Sequence, residues 1–295
     1  MTVTEILWMP AGQELDGFDR LRFDDITDGD TPNVRMPVRM LSIDTPERTA
    51  RSTTGASRVD EEFANLAGWI SEGQAPVGPA LAEHLLPRLT GGGTRQFTQA
   101  LAASAELTRV TDERLIRADG SRRNLFMRLA DERIDRYGRL LAYIAPDYTA
   151  AERTAMSREE RRTFNLDMLS SGWAAPFVIH PSIPGELDLP ILISTVEGAI
   201  HGRRGQWGDD LSLLGYEYRM IERLHDVTRD LVAGQQVTAQ RRFSCRERYC
   251  ADMRDRAVYP PEDYIRVPPA YRLFIWPDRV REAIAQLNLI PRVGT

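Results

Sequence analysis

Two carboxylates flank a Thr-Pro step in the segment Asp44-Thr45-Pro46-Glu47. The stiff step can direct both side chains to one side of a turn. A carboxylate pair of this kind can bind a hard cation or accept a proton from a water molecule. The same residues are also typical of a helix N-terminus, with Thr45 as the cap and Pro46 in the first turn. A capping box formed by Asp44 and Glu47 is a further structural interpretation.

Cationic groups come from two other segments. Arg39 shares a strand face with Leu41 and Ile43. Because an unpaired guanidinium on a buried face is costly, Arg39 should meet an anion, either a substrate phosphate or a structural carboxylate. Arg139 follows a glycine turn at 135–138, where the backbone can approach a ligand closely.

The turns themselves also have simpler interpretations. In an ordinary hairpin turn, Arg136 and Tyr137 would face solvent. The acidic segment Asp28-Gly29-Asp30-Thr31 is typical of an Asx turn. Taken together, however, these segments could supply the carboxylates and phosphate donors that phosphodiester cleavage requires.

The surrounding pattern predicts short strands and amphipathic helices. The predicted strands are 34–43, 125–130 and 139–145, and the predicted helices are 59–72, 79–89, 94–108, 156–172 and a final helix near 278–287. Regular strand–helix alternation is missing, which favours a small closed barrel over a parallel sheet.

Composition limits the class of protein. The chain has 295 residues and a formal charge of -5, the wrong sign for a protein that coats nucleic acid, although an enzyme needs only a local cationic cleft. All 38 basic residues are arginines, each able to make bidentate phosphate contacts. Cys245, Cys250 and four scattered histidines form no zinc pattern. The sequence has no membrane span or signal segment, so we expect a cytoplasmic protein.

The ordered motifs resemble the staphylococcal-nuclease (thermonuclease) family over about residues 20 to 210. The resemblance rests on DGDT at 28–31, Arg39 with IDTPE at 43–47, DRYGRLLAYI at 135–144, NLDMLSSGW at 165–173 and GRRGQW at 202–207. It implies an α+β fold with an OB-type five-stranded β-barrel and packed helices. It also implies a metal-dependent nuclease acting on DNA or RNA.

The resemblance also implies a role for each site residue. Asp30 and Asp44 would bind Ca²⁺ through their carboxylates and Thr45 through its carbonyl, Glu47 would orient or deprotonate the attacking water, Arg39 and Arg139 would clamp the phosphate, and Arg136 and Tyr137 would lie near the nucleotide. The alternative is a non-catalytic module that binds nucleic acid or protein through the same barrel. A third possibility is a component of a larger assembly in which cleavage is gated.

The domain boundaries follow from the extent of the resemblance. We expect a nuclease-like domain at 18–213, with a helical insertion at about 73–122 that acts as a lid or as inert padding. A separate C-terminal module would occupy 214–295, either as a small β domain with an aromatic core or as a surface for single-stranded nucleic acid. A fragment of 18–213 should then fold, provided that the tail supplies none of its core. The sequence leaves open DNA or RNA preference, endo or exo action, and oligomeric state.

Overall fold

A computed structural model describes residues 21–117, 119–135 and 137–292. The helices are α1 (Thr53–Ser71), α2 (Pro79–Leu89), α3 (Gly92–Leu115), α4 (Ala150–Ala155), α5 (Phe164–Ser170), α6 (Leu189–His201), α7 (Gly215–Val232), α8 (Ala239–Arg242) and α9 (Val280–Leu287). The strands are β1 (Arg22–Asp28), β2 (Thr31–Arg35), β3 (Val38–Met40), β4 (Ser42–Asp44), β5 (Leu125–Ile134), β6 (Leu140–Pro146), β7 (Ala175–Ile179), β8 (Tyr249–Asp252), β9 (Ala257–Tyr259), β10 (Arg272–Ile275) and β11 (Ile290–Pro291).

Within the described part of the chain, the strands form three sheets. The largest has the order β11-β9-β8-β10-β7-β4, with β10 parallel to β7 and antiparallel to β8. The others are the β1-β2 hairpin and a sheet of order β3-β6-β5. The α+β class predicted from the sequence is confirmed, and in the described residues these sheets are not closed into a barrel.

The chain divides into two compact units. Of the described residues, the first unit holds those up to Arg39 and those within Leu129–Ala142, and the second holds those within Met40–Arg128 and from Tyr143 onward. In the first unit the antiparallel β1-β2 hairpin is exposed along its length, and its cross-strand pair Phe23 and Val34 faces solvent.

The second unit is built on a core shared by early and late parts of the chain. Helix α1 buries Phe63 and Leu66 on one face, and both belong to the same hydrophobic cluster as Tyr218, Tyr264 and Phe274. All four residues of β10 are buried, because the strand lies between β8 and β7. Segment 214–295 therefore completes the sheet and the core, and the compact units do not divide at the predicted boundary of 213/214.

The predicted insertion is helical, as expected, and it packs against α1. Asp60 of α1 accepts hydrogen bonds from the backbone amides of Gly93 (2.7 Å) and Thr94 (3.0 Å) in the first turn of α3. This carboxylate satisfies amides that a helix start leaves without partners. A Cβ on Gly93 would lie 2.7 Å from the carbonyl oxygen of Ala56, so glycine permits the close crossing of the two helices.

A buried charge network joins α2, α7 and the C-terminal strands. Glu217, 2 % exposed, contacts His84 (Nε2–Oε1, 3.2 Å), accepts from the Tyr264 hydroxyl (2.9 Å) and lies near Arg272 (Nη1–Oε1, 3.9 Å). Burial alone would raise the pKa of Glu217, but the hydrogen bond from His84 and the charges of His84 and Arg272 lower it to about 2.

No helix among the described residues combines the length and apolarity needed to cross a bilayer.

Candidate functional site

The Asp44 and Glu47 carboxylates meet at a single guanidinium. Arg219 of α7 donates to Asp44 through two bonds, Nη1 to Oδ1 (3.2 Å) and Nη2 to Oδ2 (3.0 Å), and its Nη1 also pairs with Glu47 Oε1. Asp44 is 1 % exposed, whereas the side chains of Glu47 and Arg219 are about a quarter exposed. The Thr-Pro step thus brings both carboxylates to one centre.

The helix-start interpretation of this segment is wrong. Helix α1 begins at Thr53, and its N-cap is Ser52, whose hydroxyl accepts from the Gly55 amide (3.1 Å). The Asp44–Glu47 carboxylates are therefore not used as caps of this helix. They remain available for contacts with α7.

Buried polar side chains hold the backbone on both sides of Asp44. Asn165 of α5 donates to the Leu41 carbonyl (2.9 Å) and accepts from the Ile144 amide (3.1 Å). On the far side, Gln96 of α3 accepts from the Glu47 amide (2.7 Å) and donates to the Leu213 carbonyl (3.0 Å) in the amide orientation that satisfies both partners. A side chain of the insertion therefore helps to hold the backbone of the candidate site in place.

Helix α7 begins directly against the Asp44–Thr45 backbone. A Cβ added to Gly215 would lie 2.4 Å from the Thr45 carbonyl oxygen and 2.6 Å from Asp44 Oδ2. Glycine at the first helical residue thus allows the approach, and it places an anion near the positive end of the helix. Thr49 extends the contact by donating to Glu222 Oε1 (3.2 Å).

The charges in this region are strongly coupled. Burial alone would lower the pKa of Arg219, but Asp44 and Glu47 outweigh it and raise the value above its usual range. Behind it, Arg248 is stacked on the rings of Phe177, Phe274 and Trp276, with centroid distances of 5.1, 5.7 and 5.3 Å.

The Arg248 guanidinium is mostly buried, and its Nη1 pairs with Glu247 (3.0 Å). Burial lowers the pKa of Arg248 to about 10, and the charge of Glu247 opposes this shift. Since the group remains cationic at neutral pH, it adds positive charge behind the carboxylate pair.

An open pocket of about 390 Å³ lies beside Arg219. Its walls include Thr49, Glu62, Arg219, Glu222, Arg223 and Asp226. Burial raises the pKa of Glu222, and the charges of Glu47 and Asp226 raise it further, whereas the hydrogen bond from Thr49 opposes the shift. Solvent can therefore reach a cluster of carboxylates next to Glu47.

The implied Ca²⁺ donors do not fit a calcium site as they are arranged here. Calcium needs six to eight oxygen ligands, but both Asp44 oxygens are hydrogen-bonded to Arg219 and the Thr45 carbonyl is covered by α7. Within residues 21–117, 119–135 and 137–292, no group of three or more His, Cys, Asp or Glu side chains could hold a metal ion. Asp30 belongs to the first compact unit, where it accepts from Thr31 Oγ1 (3.2 Å) at the exposed end of the β1-β2 hairpin.

The two clamp arginines also belong to the first unit. Arg139 donates from Nε to Asp135 Oδ2 (2.7 Å), and its guanidinium lies 5.3 Å from the Tyr137 ring centroid. Asp135 Oδ1 also accepts from the backbone amides of Tyr137 and Arg139, so the turn orients this arginine itself. Arg39 is half-buried in β3, and Arg136 lies outside the described residues.

Sequence reasoning found the carboxylate pair but missed Arg219 and Gln96. Gln96 lies in a predicted helix whose spacing indicates nothing more, whereas Arg219 lies in α7, which the sequence analysis did not predict. Only the tertiary fold places them against the Asp44–Glu47 turn.

Comparison with protein-family models gives no match for this chain, and comparison with curated proteins gives none either.

Proposed function

We propose that the chain is a nuclease that hydrolyses phosphodiester bonds of DNA or RNA. The observation that carries the proposal is the meeting of Asp44 and Glu47 at one guanidinium, beside an open pocket. The sheets of the described residues are open, so the OB-type five-stranded barrel stays in this proposal only as what the ordered motifs at 28–31, 43–47 and 135–144 imply.

In this proposal Glu47 acts as the base. Its carboxylate accepts a proton from water, the water oxygen bonds to phosphorus, the bond to the leaving oxygen breaks, and that oxygen takes a proton from solvent. Arg39 and Arg139 are proposed to donate to the phosphate oxygens as negative charge increases. No step passes through a metal, because Asp44 is already paired with Arg219.

A non-catalytic binding module is the second candidate. It is favoured by the two ion pairs in which expected site residues are already engaged, Asp44 with Arg219 and Arg139 with Asp135. A module that binds without cleaving would not need the Asp44 and Glu47 carboxylates to be free of ion pairs.

Cleavage of labelled DNA and RNA by the full chain separates these candidates. The resemblance predicts activity with Ca²⁺ that disappears with a chelator, whereas the metal-free step above predicts cleavage that persists in chelator. Assays with Ca²⁺ and with chelator therefore decide between these two expectations. Loss of one preorganised donor costs about 3–4 kcal/mol, so Arg39→Lys and Arg139→Lys should each lower turnover roughly 100- to 1000-fold. Glu47→Gln should lower it by a similar factor, because it removes the carboxylate that accepts the proton from water.

The matched control is Arg109→Lys, since Arg109 lies on the exposed face of α3 and pairs with Glu106 and Glu113. Its turnover should equal that of wild type. Near-normal turnover in all three site variants, with their folds intact, would refute the mechanism. Nucleic-acid binding without any cleavage would favour the second candidate.

A further inference from the structure

The arrangement around Arg219 is that of an internal cation between two carboxylates. The guanidinium forms a two-bond, fork-to-fork pair with Asp44 and extends one nitrogen to Glu47. Planar bidentate pairing of this kind is specific to arginine, because lysine offers a point charge. Asp44 is almost completely buried, and burial of a charged group is costly unless the group is paired and hydrogen-bonded.

The position of Arg219 is fixed by contacts at the start of its helix. Gly215 lies against the Thr45 carbonyl, and Gln96 joins the Glu47 amide to Leu213, two residues before that glycine. The Phe177 ring stacks beneath the guanidinium, with its centroid 5.9 Å from the Arg219 carbon. The carboxylate turn and the N-terminal turn of α7 are therefore in direct contact.

We propose that Arg219 is a positioning residue that holds Asp44 and Glu47 in a shared geometry and takes the place that a divalent cation would need between them. An effect of this positioning on turnover rests on the proposed nuclease function, whereas exclusion of a cation rests on the geometry alone. A Ca²⁺ ion at this pair would have to displace two guanidinium bonds from Asp44 and a third from Glu47.

The test compares the full-length protein with Arg219→Gln and Arg219→Lys. The matched control is Arg223→Gln, because Arg223 lies one turn further along α7 and borders the same pocket, but pairs with Glu247. For each protein we would measure the melting temperature with Ca²⁺ and with chelator, and then kcat and KM on DNA and RNA.

Four results are expected. Ca²⁺ leaves the wild-type melting temperature unchanged. Arg219→Gln melts lower than wild type in chelator and recovers part of the loss when Ca²⁺ is added, because the vacated carboxylates accept the ion. Arg223→Gln shows no recovery with Ca²⁺. Where cleavage occurs, Arg219→Gln lowers kcat at least tenfold with little change in KM, and Arg219→Lys restores part of it.

Each opposite result has a distinct meaning. A Ca²⁺-induced rise in the wild-type melting temperature that Arg219→Gln leaves unaltered would overturn cation exclusion. A folded Arg219→Gln enzyme with wild-type kcat would overturn the positioning role while leaving the nuclease function intact. If no variant cleaves, the proposed function fails, and the melting data still decide cation exclusion.

Discussion

Removal of residues 214–295 should leave a chain that does not fold. Sequence alone suggests that residues 18–213 form an independent domain. In the structure, the deleted segment includes β10, which pairs with β7, and α7, which supplies Arg219. Without them, β7 becomes an edge strand and Asp44 loses its ion pair with Arg219.

The magnitude follows from the residues left behind, because the deleted residues take their own conformational entropy with them. Phe63 loses the Tyr218 ring, and Phe177 and Val178 lose their cover from α7 and β10. Each large apolar side chain returned to water costs about 1.5–3 kcal/mol. For these three side chains the total, roughly 5–9 kcal/mol, is comparable to the whole stability of a typical domain, about 5–15 kcal/mol.

The assay is urea unfolding followed by circular dichroism, on the 18–213 fragment and on the full chain. We expect no cooperative transition for the fragment. The control is co-expression of 18–213 with 214–295, which should recover a folded complex if the core is shared. Cooperative unfolding of the isolated fragment, at a urea midpoint like that of the full chain, would refute the reasoning.

Three further changes probe other parts of the fold. Since the pKa of Glu217 is lowered from 4.5 to about 2, the stability that its ionised form contributes is complete above pH 4.5 and is lost as pH falls toward 2. Glu217→Gln should therefore remove about 3 kcal/mol of this pH-dependent stability, measured by urea unfolding from pH 7 to pH 2. An unchanged pH profile of stability in the variant would contradict this. Gly93→Ala should lower the melting temperature, because its Cβ would overlap Ala56 and Val59. Gly68→Ala, with open space around its Cβ, should add up to about 1 kcal/mol to the free energy of unfolding and raise the melting temperature. Equal effects of the two substitutions would show that the crossing of α1 and α3 is looser than described. Cys245 and Cys250 are buried free thiols, and burial raises the pKa of Cys250 to about 12. Both should therefore resist alkylation in the folded protein and react fully in urea. Rapid labelling of the native protein would contradict their burial.

Local sequence patterns predicted many elements of the fold. Amphipathic spacing predicted α1, α2, α3 and α9, and period-two runs predicted β5 and β6. The predicted strand at 34–43 is instead interrupted, with β2 ending at Arg35 and Ser42 adopting a φ of 59° at the start of β4. Pro37 has no amide donor for a ladder, which explains part of the interruption.

The predicted helix at 156–172 was wrong in its first half. Thr163 is the N-cap of α5, and its hydroxyl accepts from the Leu166 amide (3.3 Å), so that helix starts only at Phe164. The charged residues before Thr163 match a helical pattern, but the N-cap at Thr163 makes the helix begin only after them.

The candidate site could be predicted only in part. The Thr-Pro step determines locally that Asp44 and Glu47 share a side. The partnership with Arg219 spans 175 positions along the chain from Asp44, and no local pattern encodes such a contact. The division at 213/214 was suggested by a change in composition, whereas the apolar residues of β10 are buried by pairing with β7 and β8.

The central place of β10 has a consequence for synthesis of the protein. Val178 and Leu273 are register partners, yet a ribosome makes them far apart in time. At about 5–20 residues per second, β7 emerges on the order of ten seconds before the strand that covers it. During that interval an apolar strand has no partner on that side, so the nascent chain should bind chaperones that shield such strands, and slower translation between β7 and β10 should increase aggregation.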